Sequence, residues 1–295
     1  MKKKDFVKAV SRVGVSGALG LVLAQGTAFG GVPLNNLQGT GGIAFNPLAY
    51  TSGLEWEGGS SNSWNEVVSK PQLGAWYVNL NDARINWYAA SASLTFAKRL
   101  ELSYGYGYIN AHKYGDSSIN THNLGVKLRV LDENSFDQPW LPAVALGGVY
   151  KYTDSGTVDA LGLEHDGFDA YAVATKLITQ TPVPILLSAG ALLSDEVVNG
   201  VVGHNEYDVV FFGNADILPA ENVAIGVEYK QGVDAGDGIR NHDYWDGHVA
   251  WFVTPRLSLV AAFAETGGKD RFYRGGNANN LGVGSGAVFS IQYQF

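Results

Sequence analysis

Residues 86–108 read Asn-Trp-Tyr-Ala-Ala-Ser-Ala-Ser-Leu-Thr-Phe-Ala-Lys-Arg-Leu-Glu-Leu-Ser-Tyr-Gly-Tyr-Gly-Tyr, and a period of two runs through them with one interruption at Ala97-Lys98-Arg99. Tyr88, Ala90, Ala92, Leu94 and Phe96 share one face, and Leu100, Leu102, Tyr104, Tyr106 and Tyr108 continue it after the break. The opposite face carries Trp87, Ala89, Ser91, Ser93 and Thr95, then Glu101, Ser103, Gly105 and Gly107. Such alternation describes two strands joined by a tight turn. A sandwich would bury the apolar face in a core, whereas a membrane barrel turns it to lipid and keeps the small and polar face in the lumen. The two ends of the chain distinguish these cases.

At the N-terminus Lys2, Lys3, Lys4, Lys8 and Arg12 precede an apolar stretch from Val13 to Ala24, followed by the small residues Gly26, Ala28 and Gly30. A basic start, a short apolar run and a small-residue exit are the order of an export signal, and the run is too short to span a bilayer. Residues 1–26 are therefore expected to be a signal peptide, with cleavage between 26 and 30. Its removal takes away five basic groups and one acid, which moves the formal charge from −8 to −12. An acidic chain offers no basic face to a phosphate backbone, so nucleic acid is excluded as a partner. The chain has no cysteine, which excludes disulfides, c-type haem and iron–sulfur ligation; no cofactor is expected.

At the C-terminus Ala287, Phe289, Ile291, Tyr293 and Phe295 alternate with Val288, Ser290, Gln292 and Gln294. In this strand the chain resembles the bacterial outer-membrane β-barrel superfamily, in which a last strand ending on Phe is read by the barrel-assembly machinery. The resemblance implies that Phe289, Ile291, Tyr293 and Phe295 form the assembly signal. The segments Gly31–Gly39, Phe45–Tyr50, Lys70–Leu80 and Arg99–Tyr106 resemble an uncharacterised family of proteobacterial exported proteins, known as a domain of unknown function. That likeness implies fold and location and carries no site residues.

Between the ends, residues 31–71 are rich in glycine and contain Asn46-Pro47, a composition that suits loop rather than central strand. They are expected to form a plug lying in the lumen, or a first hairpin. From Gln72 to Phe295 about 12 strands alternate with short turns and longer polar loops, 14 if the N-terminal segment adds a hairpin. The sorting of connections by length is that of a bacterial barrel with short periplasmic turns and both termini in the periplasm. The expected fold is an all-β transmembrane antiparallel up-and-down barrel in the bacterial outer membrane.

Parity places Glu101, Lys127, Arg129, Lys151, Lys176, Asp208, Asp216, Glu228, Lys230 and Asp246 in the lumen as pore-lining candidates. Charges in that number point to a wet or salt-bridged interior, because burying each one alone is costly. About 12 strands gives a bore between the filled eight-stranded and open sixteen-stranded barrels. A narrow porin-like channel for small hydrophilic solutes follows, with a closed structural or adhesion barrel acting through its external loops as the alternative. A lipid-modifying barrel enzyme is the second alternative; no Gly-x-Ser-x-Gly elbow is present and no catalytic residue is assigned. Gly105-x-Gly107 lies within a strand and is not a phosphate loop. His242, Asp246 and His248 are weak metal candidates, since imidazole and carboxylate suit a divalent ion but the spacing is no recognised site. Expected partners are outer-membrane lipid and lipopolysaccharide, the barrel-assembly machinery and a small hydrophilic solute.

Overall fold

The computed structural model describes residues 34–53, 67–112, 117–235, 240–267 and 282–295. The expected signal peptide and its cleavage site lie outside the described residues, as does 54–66 of the N-terminal segment. The strands are β1 (Gln72–Leu80), β2 (Ile85–Phe96), β3 (Leu100–Ala111), β4 (Ser117–Leu131), β5 (Ala143–Asp154), β6 (Asp166–Ile178), β7 (Ile185–Ser194), β8 (Asp208–Ala220), β9 (Val223–Lys230), β10 (Tyr244–Thr254), β11 (Leu257–Glu265) and β12 (Ser285–Gln294). Each pairs antiparallel with its sequence neighbour, and β1 pairs with β12, so the sheet closes into a twelve-stranded up-and-down barrel. Closure leaves no free edge, which is the condition for a sheet to stand in a medium that cannot hydrogen-bond its backbone.

The seam runs from Gln72 opposite Gln294 to Asn79 opposite Ala287, so the first strand begins and the last strand ends at the same rim. In the opening hairpin, Tyr88 stands opposite Tyr108 and Leu94 opposite Leu102. The turn between them holds Ala97 and Lys98 at φ of 48° and 57°, the two left-handed positions that match the twist of flanking strands. Non-glycine residues accept that conformation at some cost.

Connection lengths follow the expected sorting with two exceptions. Residues 81–84 form a short turn at the rim opposite the termini, and 132–142 form a longer one at the terminal rim. At the far rim β3 runs to Ala111 and β4 begins at Ser117, so rows of Ser and Asn continue the ladder above the apolar belt.

The outer face is apolar. Leu124 is 55% exposed, Phe211 63%, Phe263 61% and Ile291 54%. Around the rim far from the termini, aromatic rings meet across strands: Tyr77 with Tyr88 at 5.2 Å and Tyr88 with Tyr108 at 6.5 Å between centroids. The row continues from Tyr106 to His122 at 5.3 Å, His122 to Tyr152 at 6.2 Å and Tyr152 to His165 at 6.1 Å. Amphipathic rings ringing an apolar band are what a headgroup boundary favours.

Candidate functional site: the filled lumen

Residues 34–53 lie inside the barrel, every one of them buried. They supply none of the wall's ladder pairs; their own bridges, Asn35 to Gly41 and Gly42 to Pro47, are internal to the segment. Small residues let the backbone come close to the wall. Gly39 sits at φ +95°, and a Cβ on Gly105 of β3 would stand 2.4 Å from the Gln38 carbonyl oxygen. Gly105 is therefore a bed for the segment's backbone, a role that strand parity alone does not reveal, whereas Gly107 makes room for Thr121 and Trp87 of the wall.

Polar wall residues satisfy the segment's backbone in four places. At its start, the Asn35 N–H donates to Gln292 Oε1 at 2.5 Å, and the Asn35 carbonyl accepts from Trp76 Nε1 and Gln292 Nε2, both at 2.9 Å. Glu101 accepts from the Gly41 N–H at 2.8 Å and the Ser52 N–H at 2.6 Å, while Lys127 Nζ donates to the Gly41 carbonyl at 2.8 Å and lies 3.1 Å from Glu101. Glu228 accepts from three consecutive N–H groups, Ala44 at 2.8 Å, Phe45 at 3.2 Å and Asn46 at 3.2 Å. Such a concave run of N–H groups is a small anion site, and here the anion is a wall carboxylate. Farther along, the Ala49 N–H donates to Thr175 Oγ1 at 2.9 Å and the Tyr50 hydroxyl to Glu133 at 2.7 Å.

Apolar side chains of the segment fill what remains. Leu34, Leu37 and Phe45 cluster with Trp76, Val78 and Trp87, and Phe45 meets Tyr244 edge-on at 6.2 Å. Ile43, Leu48 and Tyr50 pack on Val173, Leu177 and Phe212. A cavity of about 10 Å³ between segment and wall, bordered by Gln38, Phe45, Tyr171, Phe212 and Lys230, has room for about one water.

Of the pore-lining candidates, Glu101, Lys127, Arg129, Lys151, Asp216, Glu228, Lys230 and Asp246 are buried on the inner face. Lys176 is not among them: its neighbours Thr175 and Leu177 take the inner parity, and its ammonium pairs with Glu133 at 3.0 Å in the 132–142 turn. Charge was a poor guide there because both faces of a strand turn polar at the rim. Asp208 opens β8 at the far rim, half-buried, and accepts from the Asp234 N–H at 3.2 Å. Arg129 is tied to the terminal rim by Asp132 at 3.0 Å and the Lys98 carbonyl at 2.6 Å. His242 lies apart from the metal candidates Asp246 and His248; it bonds the Asp243 carbonyl at 2.9 Å, and its ring borders Gly267.

Glu196 is the interior charge that parity could not locate. The loop between β7 and β8 folds inward, and Glu196, fully buried, lies 2.7 Å from Lys151 and ion-pairs with Lys230. It also accepts from Gln38 Nε2 at 3.2 Å and the Gly200 N–H at 3.1 Å, and Lys151 has Asp169 at 2.6 Å as a second partner. Its neighbour Asp195 has no lysine within bonding distance among the described residues, and burial pushes its carboxyl above the usual range, with Lys151 opposing that rise.

The model of the family described as "Protein of unknown function (DUF3034)" matches residues 30–271, a span that takes in the lumen segment and most of the wall. Solved structures similar to the chain include the outer membrane protein Omp33 of Acinetobacter baumannii, at 14% identity over 78% of this chain and 98% of that one, with a TM-score of 0.43. The NanC porin is similar at 10% identity over 76% and 98%, TM-score 0.45. The COG4313 outer membrane channel of Pseudomonas putida F1 is similar at 11% over 81% and 98%, TM-score 0.45. No curated protein sequence matches the chain.

Proposed function

The chain belongs to the DUF3034 family, and for this member we propose an outer-membrane channel for small hydrophilic solutes whose resting state is closed by its own residues 34–53. The apolar outer belt and its aromatic row support the membrane location, since exposed leucines and phenylalanines on all sides have no use in water. One observation carries the channel: the segment is bound only from inside and contributes nothing to the wall's ladder. Its removal leaves twelve paired strands around a charged and hydroxylated lining. A barrel meant to be permanently solid has a simpler solution in apolar side chains, because buried ion pairs rarely add net stability over well-packed hydrophobes.

Planar-bilayer recordings of the refolded mature chain and of a version lacking residues 31–70 test this. Conductance steps that are larger or more frequent in the shortened chain are expected. Silence in both, with folding shown by heat-modifiable gel migration, overturns the channel and favours a closed barrel working through its external loops.

A further inference from the structure

The inner wall holds a second charged cluster, of which Glu228 alone is bonded to the plug. Asp246 and Glu228 stand opposite each other on β10 and β9, on the lumen face, and His248 follows one pleat along β10. One ligand atom from each of Glu228, Asp246 and His248 lies within 4.8 Å of the others, and all three residues are buried. On the far side of the imidazole, His248 Nε2 lies 2.8 Å from Asp216 Oδ1, and Asp216 is steadied through Oδ2 by Asn214 Nδ2 at 3.0 Å. Gly226 makes that reach possible, since a Cβ there would stand 2.3 Å from Asp216 Oδ1.

Three features of this cluster point to a cation. Three carboxylates face one imidazole, and no lysine or arginine pairs with any of them among the described residues. Such an excess of negative charge in a dry interior is costly without a counter-ion. Second, Asp246 Oδ2 is buried with no N–H group donating to it, an orphan acceptor on the strand that faces the Glu228 carboxyl. Third, the carboxylate behind the ring is the arrangement that orients metal-bound histidines: with Nε2–H donating to Asp216, the Nδ1 lone pair is left to bind an ion, and Nδ1 lies 2.8 Å from Asp246 Oδ1. A metal ion would take the place of the proton between them.

We propose that Glu228, Asp246 and His248 form a lumen site for a divalent metal ion of the zinc type, with Asp216 as the residue that positions the imidazole. One imidazole nitrogen with carboxylate oxygens is a ligand set that suits such ions better than magnesium or calcium, which favour oxygen alone. The same Glu228 carboxylate grips residues 44–46, so the ion would sit against the plug.

The test is metal content and titration of the full mature chain, refolded in detergent with ZnCl₂ present so that the site loads before the barrel closes, then dialysed. To silence the loops, His112, His122, His165, His204 and His242 are first replaced by Gln. One zinc per chain is expected to be retained, falling at least tenfold in affinity in Asp246→Asn and in His248→Gln. Zinc retention unchanged in either folded variant, or less than a tenth of an equivalent in the parent, overturns the site. If a variant does not fold, the Cu²⁺-loaded parent decides instead: pulsed electron paramagnetic resonance must show one bound imidazole, and its absence overturns the proposal. Binding is read without conductance, so failure here leaves the channel reading standing.

Discussion

Glu101 and Glu228 each offer a buried carboxylate to backbone N–H groups of the same lumen segment, but Glu101 has Lys127 at 3.1 Å while Glu228 faces Asp246 and His248. The first clamp is electrically compensated and bonded to the segment through both partners, because Lys127 also donates to the Gly41 carbonyl. The second carries more negative charge than the wall around it balances. Two grips on one segment therefore respond oppositely to losing a charge: the first loses a partner, while the second also sheds repulsion.

Lys127→Met gives the largest expected effect. It leaves Glu101 buried without its counter-ion, and breaking a buried pair from one side costs about 3–5 kcal/mol. Guanidinium unfolding followed by heat-modifiable migration should show that loss, and Lys127→Met with Glu101→Gln should recover most of it. If the double variant is no better than the single, the pair is not the unit that the geometry describes. Gly105→Val comes next. Its Cβ would stand 2.4 Å from the Gln38 carbonyl, so the segment must shift, at about 1–3 kcal/mol for overpacking. Channel openings in planar bilayers should become more frequent. Gly247→Val is the control, because a Cβ there meets nothing within 4 Å, and surface changes of that kind stay within about 0.5 kcal/mol.

Glu228→Gln sharpens the contrast at a smaller scale. The carboxamide keeps an acceptor for the Ala44–Asn46 N–H groups but weakens charge-assisted bonds, and removing one of three neighbouring carboxylates offsets that loss. The net change should be about 1 kcal/mol or less. A loss as large as that of Lys127→Met would mean that the excess charge is no burden, and the two clamps would be equivalent.

The wall was legible because its signal is local and repeated. Parity in Tyr88–Phe96 or in Phe289–Phe295 needs no knowledge of neighbours, and one face must meet an apolar medium throughout. The lining was legible in mid-strand, at Glu101, Lys127, Lys151 and Glu228, and failed at the rim, where Lys176 turned to Glu133 instead. Glu196 could not be located, because its position depends on a loop folding inward and not on any strand's period. The glycines of residues 34–53 marked a stretch that stays out of the wall's strands; that Gly39 and Gly105 touch is a fact about two distant segments and has no trace in either alone.

Asp195 and Glu196 repeat the comparison of the clamps within one loop, and carry the smallest predicted effect. Glu196 has Lys151 and Lys230, whereas Asp195 takes only an N–H from Asn205 at 3.3 Å and leaves Oδ1 buried without a partner. Burial raises the Asp195 pKa in the folded barrel above its unfolded value. The folded state therefore holds the proton more tightly, so the stabilising contribution is complete below the unfolded carboxylate value and is lost as pH rises through the folded one. At neutral pH, where the unfolded carboxyl is ionised, burying Asp195 is a net cost, and Asp195→Asn should be modestly more stable than the parent. Below the ordinary carboxylate range that advantage should vanish, because both chains then carry a neutral group. Unfolding midpoints measured at neutral pH and at about pH 2, well below the reference value for an aspartate, check the sign. An Asn variant less stable at neutral pH would show that Lys151, rather than burial, governs Asp195, and that the loop's two acids share one pair of lysines.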